Sequence, residues 1–263
     1  MTSVRPGSVG MELHCEQIGE KGPALMFLHG LAANGAVWAP VVQSVRRCWP
    51  GMILVPDLRG HGRSPHAGHY GYGLQAADLA ELLTPGGEVS IVGHSMGAVI
   101  GLTLAGGWYG LVVKKVVGFS IKVNWTEAEL ARVHALASSP PRWFQTRGEA
   151  AHAFLRLSGL RELVDENSEV AQAGVCRDSR GWRLAADART FLAPGPPFSE
   201  IFRPARAQCV LACGTEDPMV KVDELRVFDP NAIELAGLGH NCHVQAPKVV
   251  AGLIERLLTD SNV

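Results

Sequence analysis

Short apolar runs alternate with longer stretches of mixed polarity through the first half of the chain. Met11–Gln17, Ala24–Leu28, Met52–Val55, Val89–Val92 and Lys114–Phe119 read as strands. Several are apolar on both faces, the pattern of strands covered by helices on each side. Between them, Trp38–Arg47, Gly73–Leu83 and Ser95–Trp108 read as helices. Such alternation predicts an α/β fold with a mostly parallel sheet, helices on both faces.

The rhythm changes near residue 122. From Lys122 to Phe198 the chain shows amphipathic helical segments, such as Glu127–Ala137 and Ala150–Leu157, and no convincing strand. Pro140-Pro141 and Ala193-Pro194-Gly195-Pro196-Pro197 punctuate this region as loops. Strand character returns at Gln208–Ala212 and Ala232–Leu235, and Gln245–Leu258 reads as a closing helix. The expectation is a core domain of residues 1–121 and 199–263, with residues 122–198 inserted as a helical cap over the C-terminal edge of the sheet.

Composition narrows the function classes. Of 263 residues, 47% are hydrophobic and 19% charged, which fits a globular chain with a large core and excludes disorder. Lys and Arg number 24 against 25 Asp and Glu, so there is no electrostatic footprint for nucleic acid and no like-charge block for an anionic membrane. No stretch approaches the roughly 20 apolar residues of a membrane span. The amino terminus lacks the apolar core of a secretory signal, which points to the cytoplasm. Six cysteines without metal-type spacing argue against a disulfide framework. The expected partner is a small-molecule substrate, with no nucleic acid, membrane or cofactor; nothing in the sequence sets the oligomeric state.

Gly93-His94-Ser95-Met96-Gly97 follows an apolar run and opens a helical stretch, the strand–turn–helix setting that G-x-S-x-G requires. A serine in so sharp a turn needs small neighbours two residues either side, and the helix start favours a developing negative charge on its oxygen. A serine hydroxyl also needs a base. His240, in Gly237-Leu238-Gly239-His240-Asn241-Cys242-His243, lies on a loop after a strand, with His243 the competing candidate. The base in turn needs a carboxylate to fix its tautomer. Asp217, in Gly214-Thr215-Glu216-Asp217-Pro218, fits, with Glu216 as competitor. Backbone amides of Met96 and Leu31 are the candidate oxyanion donors, Leu31 from the loop His29-Gly30-Leu31. His29 is expected to brace that loop; together with Trp38, Trp125, Trp143 and Phe144 it makes up the set of pocket candidates. No metal site is expected: His240 and His243 lack a third ligand, and His61, His66 and His69 read as loop residues.

These segments, with Asp57-Leu58-Arg59-Gly60-His61-Gly62-Arg63-Ser64, resemble the α/β-hydrolase superfamily across most of the chain outside the cap. The resemblance implies an eight-stranded, mostly parallel sheet, an active site beneath a helical cap, and a structural turn at Asp57–Ser64. The order Ser95, Asp217, His240 is that family's nucleophile–acid–base order. It implies a serine hydrolase cleaving an ester-like bond (carboxylic ester, lactone or thioester) of a small, partly apolar substrate through an acyl-enzyme. Carbon–carbon hydrolysis or perhydrolysis by the same triad is the alternative, and a non-catalytic ligand-binding homologue is a further one. A serine at position 95 speaks against the aspartate-dependent dehalogenases and epoxide hydrolases.

Overall fold

In the computed structural model residues 11–193 and 195–259 are described. The stretch read for an export signal before Met11, and Pro194 of the proline-rich loop, lie outside the described residues. Among the described residues nine strands and ten α-helices follow one another. They are β1 (Cys15–Ile18), β2 (Ala24–Leu28), α1 (Ala39–Val45), β3 (Met52–Pro56), α2 (Tyr72–Ala80), β4 (Glu88–His94), α3 (Met96–Leu104) and β5 (Val112–Phe119). Then come α4 (Glu127–Ala137), α5 (Arg147–Leu157), α6 (Glu169–Ala173), β6 (Val175–Asp178), β7 (Gly181–Leu184) and α7 (Phe198–Phe202). The chain closes with β8 (Gln208–Gly214), α8 (Val222–Arg226), β9 (Ile233–Leu235), α9 (Cys242–Gln245) and α10 (Pro247–Thr259).

The main sheet runs β1-β3-β2-β4-β5-β8-β9, antiparallel at β1–β3 and parallel elsewhere. The apolar run of β2 is buried at every position, as a strand sandwiched between helix layers must be. One face packs on α2, α3 and α7, the other on α1 and α10. From β2 the chain moves outward to β3 and then returns to place β4 on the other side of β2. Ligands of open parallel sheets collect at such a reversal, outside the carboxyl ends of the strands.

Among the described residues this sheet has seven strands rather than the eight implied by the resemblance. The expected strand at Met11–Gln17 begins only at Cys15, because its first residues spend their amides on side chains. Met11 N–H donates to Asp78 Oδ1 at 2.8 Å and His14 N–H to Ser64 Oγ at 2.9 Å. Asp78 also closes a buried ion pair with Arg59, at 2.5 and 2.6 Å, which pins the turn after β3 to α2.

The inserted cap between β5 and β8 holds α4, α5 and α6 as expected. Thr126 and Thr146 cap α4 and α5, each accepting from the amide three residues on while Glu129 and Glu149 reach back. The reading of no strand here is corrected by a two-stranded hairpin, β6–β7. Its turn forms because Asp178 Oδ1 accepts from Arg180 N–H at 2.8 Å and Gly181 adopts φ +126°. The cap is fastened to the core by Tyr70 Oη–H to Asp187 (2.6 Å), His66 Nε2–H to the Ala185 carbonyl (2.7 Å) and Asn34 Nδ2–H to the Val170 carbonyl (2.9 Å).

Candidate active site

Between the last residue of β4 and the first of α3 stands Ser95 alone, at φ 49° and ψ −118°. A non-glycine residue held there stores about 1–3 kcal/mol of backbone strain, which the surroundings must over-determine. They do so by close approach. A Cβ on Gly97 would lie 2.4 Å from the Leu28 carbonyl oxygen and 2.5 Å from that of His29. One on Gly93 would lie 2.4 Å from Ala98 Cα. Ser95 N–H donates to the Phe119 carbonyl at 2.8 Å, tying the turn to β5.

The loop after β8 carries Asp217, fully buried, and the loop after β9 carries His240. His240 Nδ1–H donates to Asp217 Oδ2 at 2.9 Å. Asp217 Oδ1 accepts from the amides of Met219 (2.8 Å) and Val220 (3.2 Å). Burial alone would push this carboxyl up, but the His240 hydrogen bond and charge and the Met219 amide outweigh it, so Asp217 sits below the usual carboxylate range. Glu216 is exposed, its side chain outside this arrangement. With Nδ1 turned to the carboxylate, Nε2 is the His240 ring nitrogen that Asp217 does not engage.

His240 and Ser95 both line a cavity of about 750 Å³. Among the hydrogen bonds of the described residues none joins the Ser95 hydroxyl to His240. Leu31 and Met96 border the same cavity beside Ser95, flanking the sheet's reversal from β2 and β4 respectively. Most of the wall is aliphatic or aromatic, including Tyr72, Val99, Val133, Leu157, Phe191 and Met219.

A row of buried imidazoles stands behind the cavity. His94 Nε2–H donates to the His240 carbonyl at 2.9 Å, and its ring packs on His240 (4.9 Å between centroids) and His243 (4.4 Å). His243 in turn stacks on Trp38 at 4.3 Å. Burial pushes His243 down to about 3, with neighbouring His240 and His29 adding to it, and pushes His94 well below its ordinary value with His243 and His240 beside it. His29 is lowered to about 4 by burial and bridges two loops, its Nδ1–H donating to the Gly30 carbonyl (2.8 Å) and its Nε2 accepting from Leu58 N–H (3.0 Å). Asn241, next to His240, donates from Nδ2 to the carbonyls of Ser158 and Gly159, both at 3.2 Å, just past the end of α5.

Of the pocket candidates, Trp125 lines the cavity. Four others are placed elsewhere. His29 is wholly buried and braces its loop. Trp38 is fully buried against Phe27 and His243. Phe144 pairs its backbone with Trp182 of the cap hairpin, and Trp143 lies under the Arg180 guanidinium. Large aromatics bury best in a core, and Trp38 and Phe144 went there, whereas Trp143 stays half-buried on the cap. The aliphatic wall was missed because only packing decides which apolar side chains stay uncovered. The three loop histidines diverge, His61 packing on His29 and His66 bonding to the cap. Among the described residues no group of three or more His, Cys, Asp or Glu side chains is placed to hold a metal ion, and no helix is long and apolar enough to cross a membrane.

Residues 25–253 match the alpha/beta hydrolase family, and the chain belongs to it. Lipase LipV of Mycobacterium tuberculosis is 35% identical over 98 residues, 36% of each chain. The magnesium-chelatase 30 kDa subunit of Rhodobacter capsulatus is 36% identical over 118 residues, 40% of this chain and 37% of that one. The chain thus spans little more than a third of the length of these relatives. The thioesterase domain from the curacin biosynthetic pathway superposes with a TM-score of 0.72 at 23% identity, covering 93% of this chain and 99% of that one, which shows the shared fold.

Proposed function

We propose that this protein is a serine hydrolase of ester-like bonds, with Ser95 as nucleophile, His240 as base and Asp217 as the carboxylate that orients and stabilises it. The observation that carries this is the 2.9 Å His240–Asp217 hydrogen bond, opening on the cavity that Ser95 enters from a strained strand-to-helix turn. His240 Nε2 takes the Ser95 proton as Oγ bonds to the substrate carbonyl carbon, and the carbonyl electron pair moves to its oxygen. The amides of Leu31 and Met96 receive that oxyanion; each such donor typically lowers the barrier by about 3–4 kcal/mol. Collapse expels the leaving alcohol or thiol with the proton from His240. Water then repeats the sequence on the acyl-enzyme and frees the acid. The aliphatic wall suits an apolar acyl portion.

A fluorophosphonate probe tests the assignment. Wild type is expected to be labelled on the peptide containing Ser95 and to hydrolyse p-nitrophenyl esters, while Ser95→Ala loses both. Folded wild-type protein that resists the probe, or Ser95→Ala protein that keeps full hydrolysis, overturns it.

A further inference from the structure

Away from Ser95, His240 and their neighbours the cavity wall is largely apolar except at its cap side, where charge is unevenly matched. Lys122, Arg132 and Arg156 line it against one carboxylate, Glu129. Glu129 is already committed: it pairs with Lys122 at 3.0 Å and closes the Thr126 capping box. The side chains of Arg132 and Arg156 have no hydrogen bond, ion pair or ring contact among the described residues. That sets them apart from six of the nine arginines in residues 122–198. Those six are engaged by Asp178, Asp187, Asn167, the Leu184 carbonyl, or the rings of Phe144 and Trp182.

Helical spacing puts Arg132 on the side of α4 that borders the cavity, where its side chain is also open to solvent. Glu129, Arg132, Val133 and Leu136 all line the cavity, and their spacing of 0, 3, 4 and 7 is a single stripe along α4. Arg156 and Leu157 bring a matching cation and apolar contact from the end of α5. The result is an aliphatic trough with Ser95 at one part of its wall and two unmatched guanidinium groups on the cap helices. Guanidinium groups recognise carboxylates and phosphates through paired N–H donors, and cations without a carboxylate partner at the rim of a cleft draw anions toward it.

We infer that this hydrolase selects esters whose apolar acyl chain carries an anionic group away from the scissile bond, received by Arg132 and Arg156. The inference rests on the hydrolase reading of the same cavity and deepens it. The acyl chain lies along the aliphatic stripe, and the charged end compensates the two arginines.

Two p-nitrophenyl esters of equal chain length test this: the hexanoate, which is neutral, and the mono-adipate, which ends in a carboxylate. A 6-phosphonohexanoate ester separates carboxylate from phosphoryl recognition. Wild type is expected to show kcat/KM for one of the anionic esters at least tenfold above the hexanoate, the gain lying mainly in KM and shrinking as salt is raised. Arg132→Gln and Arg156→Gln each pull that ratio toward one by roughly tenfold. Arg161→Gln, an unpartnered cap arginine outside this cavity, leaves the ratio where it is. A wild-type ratio near or below one for both anionic esters overturns the inference, as do arginine variants that leave the ratio untouched. Fluorophosphonate labelling of Ser95 separates the two failures. Labelled protein without anionic preference removes only the substrate class, whereas unlabelled protein inert to all three esters removes the hydrolase reading itself.

Discussion

Mild acid should unfold this protein, and the buried imidazoles set how strongly. His29, His61 and His243 are buried and lowered to about 4, 3 and 3, in each case with burial as the largest cause. In the unfolded chain a histidine titrates near about 6.5. The unfolded form therefore takes up protons first, so stability falls with pH below about 6.5 and goes on falling until the folded rings themselves protonate. Between pH 7 and pH 5 each ring contributes a loss of about 2 kcal/mol, or about 6 kcal/mol for the three. His94, lowered in the same direction, adds to that. A total stability of about 5–15 kcal/mol leaves little after such a loss. Urea titrations followed by far-UV circular dichroism at half-unit steps from pH 7.5 to 5 give the slope directly. Near pH 5.5 the three rings alone predict about 4 kcal/mol per pH unit, close to three protons bound on unfolding. His61→Gln should remove about one of those protons. If stability changes by less than about 1 kcal/mol between pH 7 and 5, the claim that these rings stay neutral in the fold is refuted.

Three further outcomes follow from single contacts. Asp217→Asn should keep the fold but lower kcat by roughly 10³–10⁴-fold, since the amide no longer favours the productive tautomer of His240; ester kinetics beside a circular-dichroism spectrum check this. Gly97→Ala forces a methyl into the Leu28 and His29 carbonyls, and thermal unfolding should show a loss of about 1–3 kcal/mol together with weaker probe labelling of Ser95. Asp78→Ala leaves Arg59 buried without its carboxylate partner, and urea unfolding should report a loss of about 3–5 kcal/mol, with the pH profile of hydrolysis unmoved.

What could be read from the residues, and what could not, divides along physical lines. The buried parallel strands announced themselves because a strand covered on both faces must be apolar throughout, as Ala24–Leu28 is. Ser95, Asp217 and His240 could be named because each follows a strand and stands among glycines or a proline, where backbone geometry constrains residue type. The hairpin β6–β7 gave weaker cues: its strands are four residues each, only partly buried, and joined through Ser179-Arg180 rather than a sequence typical of tight turns. Trp38 is the opposite case. Its apolar bulk was plain, but whether it faced substrate or Phe27 depended on where α10 and the His243 loop came to rest. The stripe Glu129, Arg132, Val133, Leu136 was visible in the spacing, yet nothing local says that an amphipathic helix will leave that stripe facing an open space.

The double grip of Asn241 on the carbonyls of Ser158 and Gly159 joins the loop after β9 to the end of a cap helix, two parts that the fold could have kept separate. Any outward swing of the helix Arg147–Leu157 must either snap both bonds or drag the neighbouring imidazole along. Displacement of that end of the cap and the present seat of the His240 ring are therefore mechanically linked.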